Sequence, residues 1–227
     1  MTNHDAYGAV SFDGDQYWIE QSPRLTLPDS DWAFVCSVRF TSRTGTSTRD
    51  IFHWNDFGSE TSLLFVRVGD ASSGIAPNTV NAAFIDNDGT NVSFTAGGSP
   101  YAGNTSWTRL GVQRVGNTLH VMYNGSSIGS STNSSFDALT VSEWQLFGNN
   151  IFWTAGFIGG LTDCAKWDRS LTTQEWASIA SGISVDCIPG AQWFLPMIYD
   201  EVELAGGLEI DTDSPSPAAH PRMLSCR

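Results

Sequence analysis

The chain has 227 residues, 41% of them hydrophobic, with 24 acidic side chains against 11 basic ones and a formal charge of −13. That length and apolar content suffice for one full core, and the acidic excess repels phosphate backbones and anionic lipid, which argues against nucleic acid and membranes as partners. No apolar run approaches the roughly 20 residues of a membrane helix, and Met1 to Val10 lacks the basic and then hydrophobic pattern of an export signal, so synthesis without classical export is expected.

Turn signals rich in Gly, Asn, Asp and Ser recur at short intervals, separated by segments of period-two alternation rich in aromatic and β-branched residues. This is an all-β pattern. In chain order, Trp32 to Phe40 reads as a long strand in which Cys36 shares a face with Phe34 and Phe40, as a small buried hydrophobe would. Thr41 to Thr48, made of Ser, Thr and Gly with one arginine, reads as a connection, and so does His53-Trp54-Asn55-Asp56-Phe57. Val80 to Ile85 and Asn91 to Thr95 predict a hairpin closed by Asp86-Asn87-Asp88-Gly89, because these residues tolerate the positive φ of tight turns. Arg109 to Val115 predicts a second hairpin, turning at Gly116-Asn117 and returning through Leu119, Val121 and Tyr123 to a further turn at Asn124-Gly125. Asn149-Asn150-Ile151-Phe152-Trp153 reads as another connection. Leu171 to Ala180 is the stretch that predicts a helix, capped by Thr172 or Thr173, with Glu175 at its positive end and Gly182 beyond it, serving as a lid on one sandwich edge. Ala191 to Ile198 suits an edge or terminal strand because of Pro196, and Asp211 to Arg227, with three prolines, an extended strap.

Cys36, Cys164, Cys187 and Cys226 have no C-x-x-C spacing and are too sparse for a disulfide framework, so free thiols are expected. The Asn-x-Ser/Thr sequences beginning at Asn91, Asn104, Asn124 and Asn133 read as turn chemistry. Glycoside cleavage needs an acid and a nucleophile flanking one bond, and the E-x-D-x-x-E strand pattern that supplies them is missing. Glu201-Val202-Glu203 and Asp56 with Glu60 approach it but lack the third carboxylate or the spacing. Gly125 to Gly129 matches G-x-S-x-G, yet it follows a hairpin turn where a nucleophile elbow requires a strand before and a helix after. The four histidines show no zinc spacing, and neither a P-loop nor a dinucleotide fingerprint is present.

Four segments in order resemble the laminin-G-like, concanavalin A-like jelly-roll family. Ser11 to Ile19 is similar to its opening strand pair, and Trp32 to Phe40 to its long second strand. Trp107 through Tyr123-Asn124-Gly125 resembles its central signature, and Gly159-Gly160-Leu161-Thr162-Asp163 through Trp167-Asp168-Arg169-Ser170-Leu171-Thr172 its closing one. The resemblance spans about residues 8–182 and implies a single antiparallel β-sandwich over 1–227, with 183–227 as an extension packed on it. It also implies that Trp107 and Trp167 are core residues. Trp193-Phe194-Leu195-Pro196-Met197 and Ser216 to Pro221 are similar to the C-terminal extension of a phage-encoded branch. That implies a virion structural protein, a capsid decoration, fibre or other surface component, located in the virion after assembly in the host cytoplasm.

Relatives of this family often hold calcium in rim loops through carboxylates and carbonyls, which makes Asp13, Asp15, Asp86, Asp88 and Asp163 the candidate ligands. Asp13 and Asp163 match motif positions and equally suit hydrogen bonding at the rim, and turn geometry alone accounts for Asp86 and Asp88. No cofactor is required by the reading. Sugar binding needs an aromatic platform beside amides and carboxylates, which Trp54 with Asp56 and Trp153 with Asn149 and Asn150 would supply from their connections; burial in the core or a subunit interface is the competing account. The expectation is therefore a non-enzymatic virion protein bound to capsid or tail proteins and forming a homo-oligomer, with a trimer as the virion expectation. The alternative is a lectin-like module for a host-surface polysaccharide.

Overall fold

The computed structural model describes residues 9–13, 19–20, 26–40, 49–56, 59–68, 80–85, 91–96, 106–134, 139–140, 144–147, 158–195 and 216–218. Among these, two antiparallel sheets face each other. The larger comprises, from edge to edge, β11 (Ser126–Thr132), β10 (Thr118–Tyr123), β9 (Trp107–Val115), β4 (Trp32–Phe40), β14 (Ile158–Trp167), β1 (Ala9–Asp13) and β16 (Ser216–Ala218). β15 (Ala191–Leu195) also pairs with β14, beyond the stretch that pairs with β1. The second sheet runs β2 (Ile19–Glu20), β13 (Trp144–Phe147), β5 (Arg49–Asp56), β6 (Ser59–Val68), β7 (Val80–Ile85), β8 (Asn91–Ala96). A short ribbon joins β3 (Thr26–Leu27) to β12 (Leu139–Thr140).

The near-continuous apolar run of β4 follows from burial on both faces, where a strand with one wet face would alternate. Phe34 meets Phe52 of the facing sheet edge-on at 4.9 Å, and Trp32 lies 5.8 Å from Phe84. On the other face, Ala33 and Val35 join Met122, Ala165, Trp167, Phe194 and the apolar side of α1 (Thr173–Ala180) in a second buried cluster. The Trp176 ring packs against Gly111, where a Cβ would stand 2.6 Å from the ring and 2.6 Å from the Phe34 carbonyl oxygen.

Both expected hairpins form, β7 with β8 and β9 with β10. At the turn into β11, Asn124 and Gly125 have φ of 44° and 82°, the paired positive values of a tight hairpin turn. Of the tail expected as an extended strap, Ser216–Ala218 are described and pair as β16 with the outer edge of β1, and Thr41 to Thr48 lies outside the described residues. Three expectations are corrected. β1 and β2 do not pair with each other: β1 joins β14 and β2 joins β13, in opposite sheets. The helix covers the outer face of the larger sheet and not an edge, because Trp176 and Ile179 need an apolar surface to bury against. And Cys187 is disulfide-bonded, with a partner outside the described residues, while Cys36 and Cys164 are free and buried. A single crosslink requires no framework spacing, so sparse cysteines did not exclude it.

Burial, and then the neighbouring Cys36 thiol, push the Cys164 thiol well above its usual range, and thiolate is the reactive form. Ellman's reagent should therefore modify neither thiol in the native protein, titrate two on unfolding, and titrate all four cysteines only after reduction. Four thiols without reductant would contradict the crosslink.

Thr172 caps α1 with a complete capping box to Glu175, whose carboxylate also takes a bidentate pair from Arg169 at 2.6 and 2.9 Å. Held first by Arg169, the Glu175 carboxyl falls from 4.5 to about 2. Its contribution is thus complete above the unfolded pKa of 4.5 and is lost as pH falls toward 2. With Arg169 39% exposed, solvent screening limits it to about 0.5–1 kcal/mol. In acid titrations of stability, Glu175→Gln should remove that much at pH 6 and nothing near pH 2; an equal loss at both would assign the effect to packing.

Candidate functional site

The helix-bearing face of the larger sheet is held by polar networks as well as by its apolar cluster. Asp163 lies in a bulge of β14, where the register with β4 shifts between Thr162 and Ala165, and takes a left-handed φ of 55° that Asp tolerates. Its carboxylate, 1% exposed, accepts from Arg109 through one oxygen and from Ser184 at 3.0 Å through the other. Arg109 also donates to Ser37 and to the Ile183 carbonyl at 3.4 Å, which ties the segment after α1 to the sheet. Gln113 accepts through Oε1 from Trp176 Nε1 at 2.9 Å and from the Leu171 amide at 3.2 Å. Lys166 pairs with Asp168, and Arg114 with Asp29 at 3.0 Å. These groups satisfy one another and lock the helix down.

The outer face of the six-stranded sheet is different, and the strand register defines it. Phe52, Val80, Ala82 and Phe84 are all buried, which identifies the rows turned to the core. The alternate rows make up the other face. One reads Glu20, Leu146, His53, Phe65, Ala83, Ser93 across six strands. The next reads Trp144, Asn55, Leu63, Ile85, Asn91, and on the far side lie Asp50, Arg67, Asn81 and Thr95. One face thus interleaves aromatic and apolar positions with amides, an imidazole and charges.

The expected site residues fall variously against this frame. Trp54 and Asp56 lie in β5, where a connection was expected, because the aromatic and β-rich run from Phe52 continues pairing with β6. Trp54 stands opposite Leu64 and, through it, in the row of buried Phe84, which is the core-facing register. Asp56 closes β5 opposite Ser59, past a break in register. Asp13 ends β1 opposite Ile158. Of the two roles open to Asp163, calcium ligand or hydrogen-bonding partner, the structure shows the second: Arg109 and Ser184 donate to its two oxygens. Asp15, Asp86, Asp88, Asn149, Asn150 and Trp153 lie outside the described residues, and among the described ones no group of three or more His, Cys, Asp or Glu could hold a metal ion. Trp167 is fully buried as expected, but Trp107 is only half-buried. Gly125 to Gly129 leads into strand β11, so its serine occupies no elbow.

Sequence reasoning held His53 and Asn55 only as neighbours of Trp54 in a connection, and missed Arg67, Asn81, Asn91 and Trp144. Apart from Trp144, which lies in β13, their signal was the polar phase of the alternation in β5 to β8, legible once those segments are read as one sheet.

No protein-family model matches the chain, and no curated protein matches it. Solved structures do. The chain is similar to the native heptameric SAP-like pentraxin from Limulus polyphemus at 17% identity, with a TM-score of 0.64 over 96% of this chain and 98% of that one. The fold is a jelly-roll β-sandwich. It is shared with a candidate carbohydrate-binding protein from Bacteroides ovatus, at 13% identity and a TM-score of 0.69 over 95% of this chain and 62% of that one. The CBM40 of Ruminococcus gnavus IT-sialidase, bound to α2,6-sialyllactose, matches at 12% identity and a TM-score of 0.56 over 76% of this chain and 96% of that one. At these identities the likeness concerns the fold, and the jelly roll agrees with the architecture that the laminin-G-like motifs imply.

Proposed function

We propose that this protein is a non-enzymatic glycan-binding module that uses the outer face of its six-stranded sheet. The observation that carries the reading is the register that brings His53, Asn55, Asn81, Asn91 and Trp144 onto one face, opposite the helix-covered side. Pyranose rings stack on aromatic faces while their hydroxyls take directed hydrogen bonds from amides and imidazole, and this face offers both. The sialyllactose-bound CBM40 is support by analogy of fold.

A glycan array followed by calorimetry on any hit tests the reading. Trp144→Ala and Asn55→Ala should each weaken binding about tenfold, the scale of one stacked ring or one hydrogen bond, with the melting temperature little changed. A protein that retains no glycan, or keeps full affinity in both variants, refutes it. The virion setting for such a module rests on the resemblance of the C-terminal segments, and mass spectrometry of purified phage particles tests it: a stoichiometric signal supports a virion component, absence opposes it.

A further inference from the structure

Arg39 ends the outward-facing series of β4, beyond the reach of α1. In the register it stands between Trp107 of β9 and Gly160 of β14, and Ser11 and Ser216 continue the row on β1 and β16. Trp107 lies across the backbone of Gly160, where a Cβ would sit 2.8 Å from its ring. The Arg39 guanidinium is 5.3 Å from the centroid of that same ring. Its Nε is buried with no hydrogen-bond partner, and among the described residues no carboxylate pairs with Arg39. Arg109, Arg114 and Arg169, by contrast, each meet an acid. A half-buried arginine set over a tryptophan ring, with no acid paired to it among the described residues, is a preformed receptor for an external anion.

We propose that Arg39, oriented by Trp107, receives the carboxylate of an acidic sugar, a second binding site on the face opposite the one proposed above. Contact with the ring restrains the guanidinium, so a planar carboxylate meets two parallel N–H donors at less further loss of freedom. The net charge of −13 selects the size of the anion. A polyanion would run along a repelling surface, whereas a single carboxylate feels its partner at contact and the rest of the charge through a Debye length of roughly 8 Å. A sugar acid fits because the hydroxyl-bearing positions Ser11 and Ser216 continue the row. The inference rests on the glycan reading for its ligand class.

The test measures a glucuronide-terminated disaccharide and its glucoside counterpart by calorimetry on the full chain, with wild type, Arg39→Lys and Arg39→Gln. Wild type should prefer the acid at least tenfold. Arg39→Gln should abolish the preference, and Arg39→Lys, which keeps the charge but loses the planar fork, should restore little of it. Affinity for the glucoside should stay unchanged in both. If the glucoside binds and the acid gains nothing from Arg39, this inference fails while the glycan reading stands; if neither binds, both fail. Full restoration by lysine would overturn the bidentate geometry.

Discussion

Asp163→Asn should lower the unfolding free energy by about 3 kcal/mol, and Asp163→Ala by about 3–5 kcal/mol, in urea denaturation followed by tryptophan fluorescence. The cost arises from what is left behind. Arg109 is buried and its charge is neutralised by Asp163, so removing the carboxylate leaves a buried charge without its partner. Asparagine keeps the shape and tolerates the left-handed φ of 55° that the bulge imposes, so its loss reports the ion pair alone. Alanine tolerates that φ poorly and also abandons Ser184. Combining Asp163→Ala with Arg109→Met should recover much of the loss, because no charge then remains buried without a partner. A loss below about 1 kcal/mol in both single variants would show that solvent reaches the pair and that the network does not secure the segment after α1.

Trp176→Ala should cost about 3–5 kcal/mol, the usual scale for deleting a buried indole. The ring fills the space over Gly111 between the helix and the larger sheet, and its Nε1 is one of the two donors to Gln113 Oε1. Gly111→Ala should cost about 1–3 kcal/mol by overpacking, since its Cβ meets the ring and the Phe34 carbonyl. The two changes touch the same space, so the double variant should lose less than their sum; the contact with Phe34 leaves a remainder. Strict additivity would mean that Trp176 does not rest on Gly111 in solution.

Local chemistry was readable from the residues alone. The pair Asn124-Gly125 needs nothing beyond its own backbone to favour a hairpin, and Thr172 with Glu175 specifies a helix start within four residues. The doubly buried run of β4 likewise announced a central strand. What depends on partners far along the chain was not readable. Whether β1 and β2 pair with each other or part into opposite sheets is decided by β14 and β13, more than a hundred residues away. The same holds for the face on which each residue of β5 falls: Trp54 joins the core-facing row and Asn55 the outer one because of pairing with β6 and β7. Asp163 looked like a rim carboxylate until the bulge turned it toward Arg109, 54 residues away in sequence. Trp107 looked like core, but its half-buried ring lies against Gly160, where there is no Cβ, and within 5.3 Å of the Arg39 guanidinium. The sequence by itself thus determined the all-β class, the turns and the helix, since propensity, capping and positive φ act within a few residues. Only the tertiary structure decided which residues share a face, because a sheet's register is set between strands, and a shift of one residue moves every side chain to the opposite side.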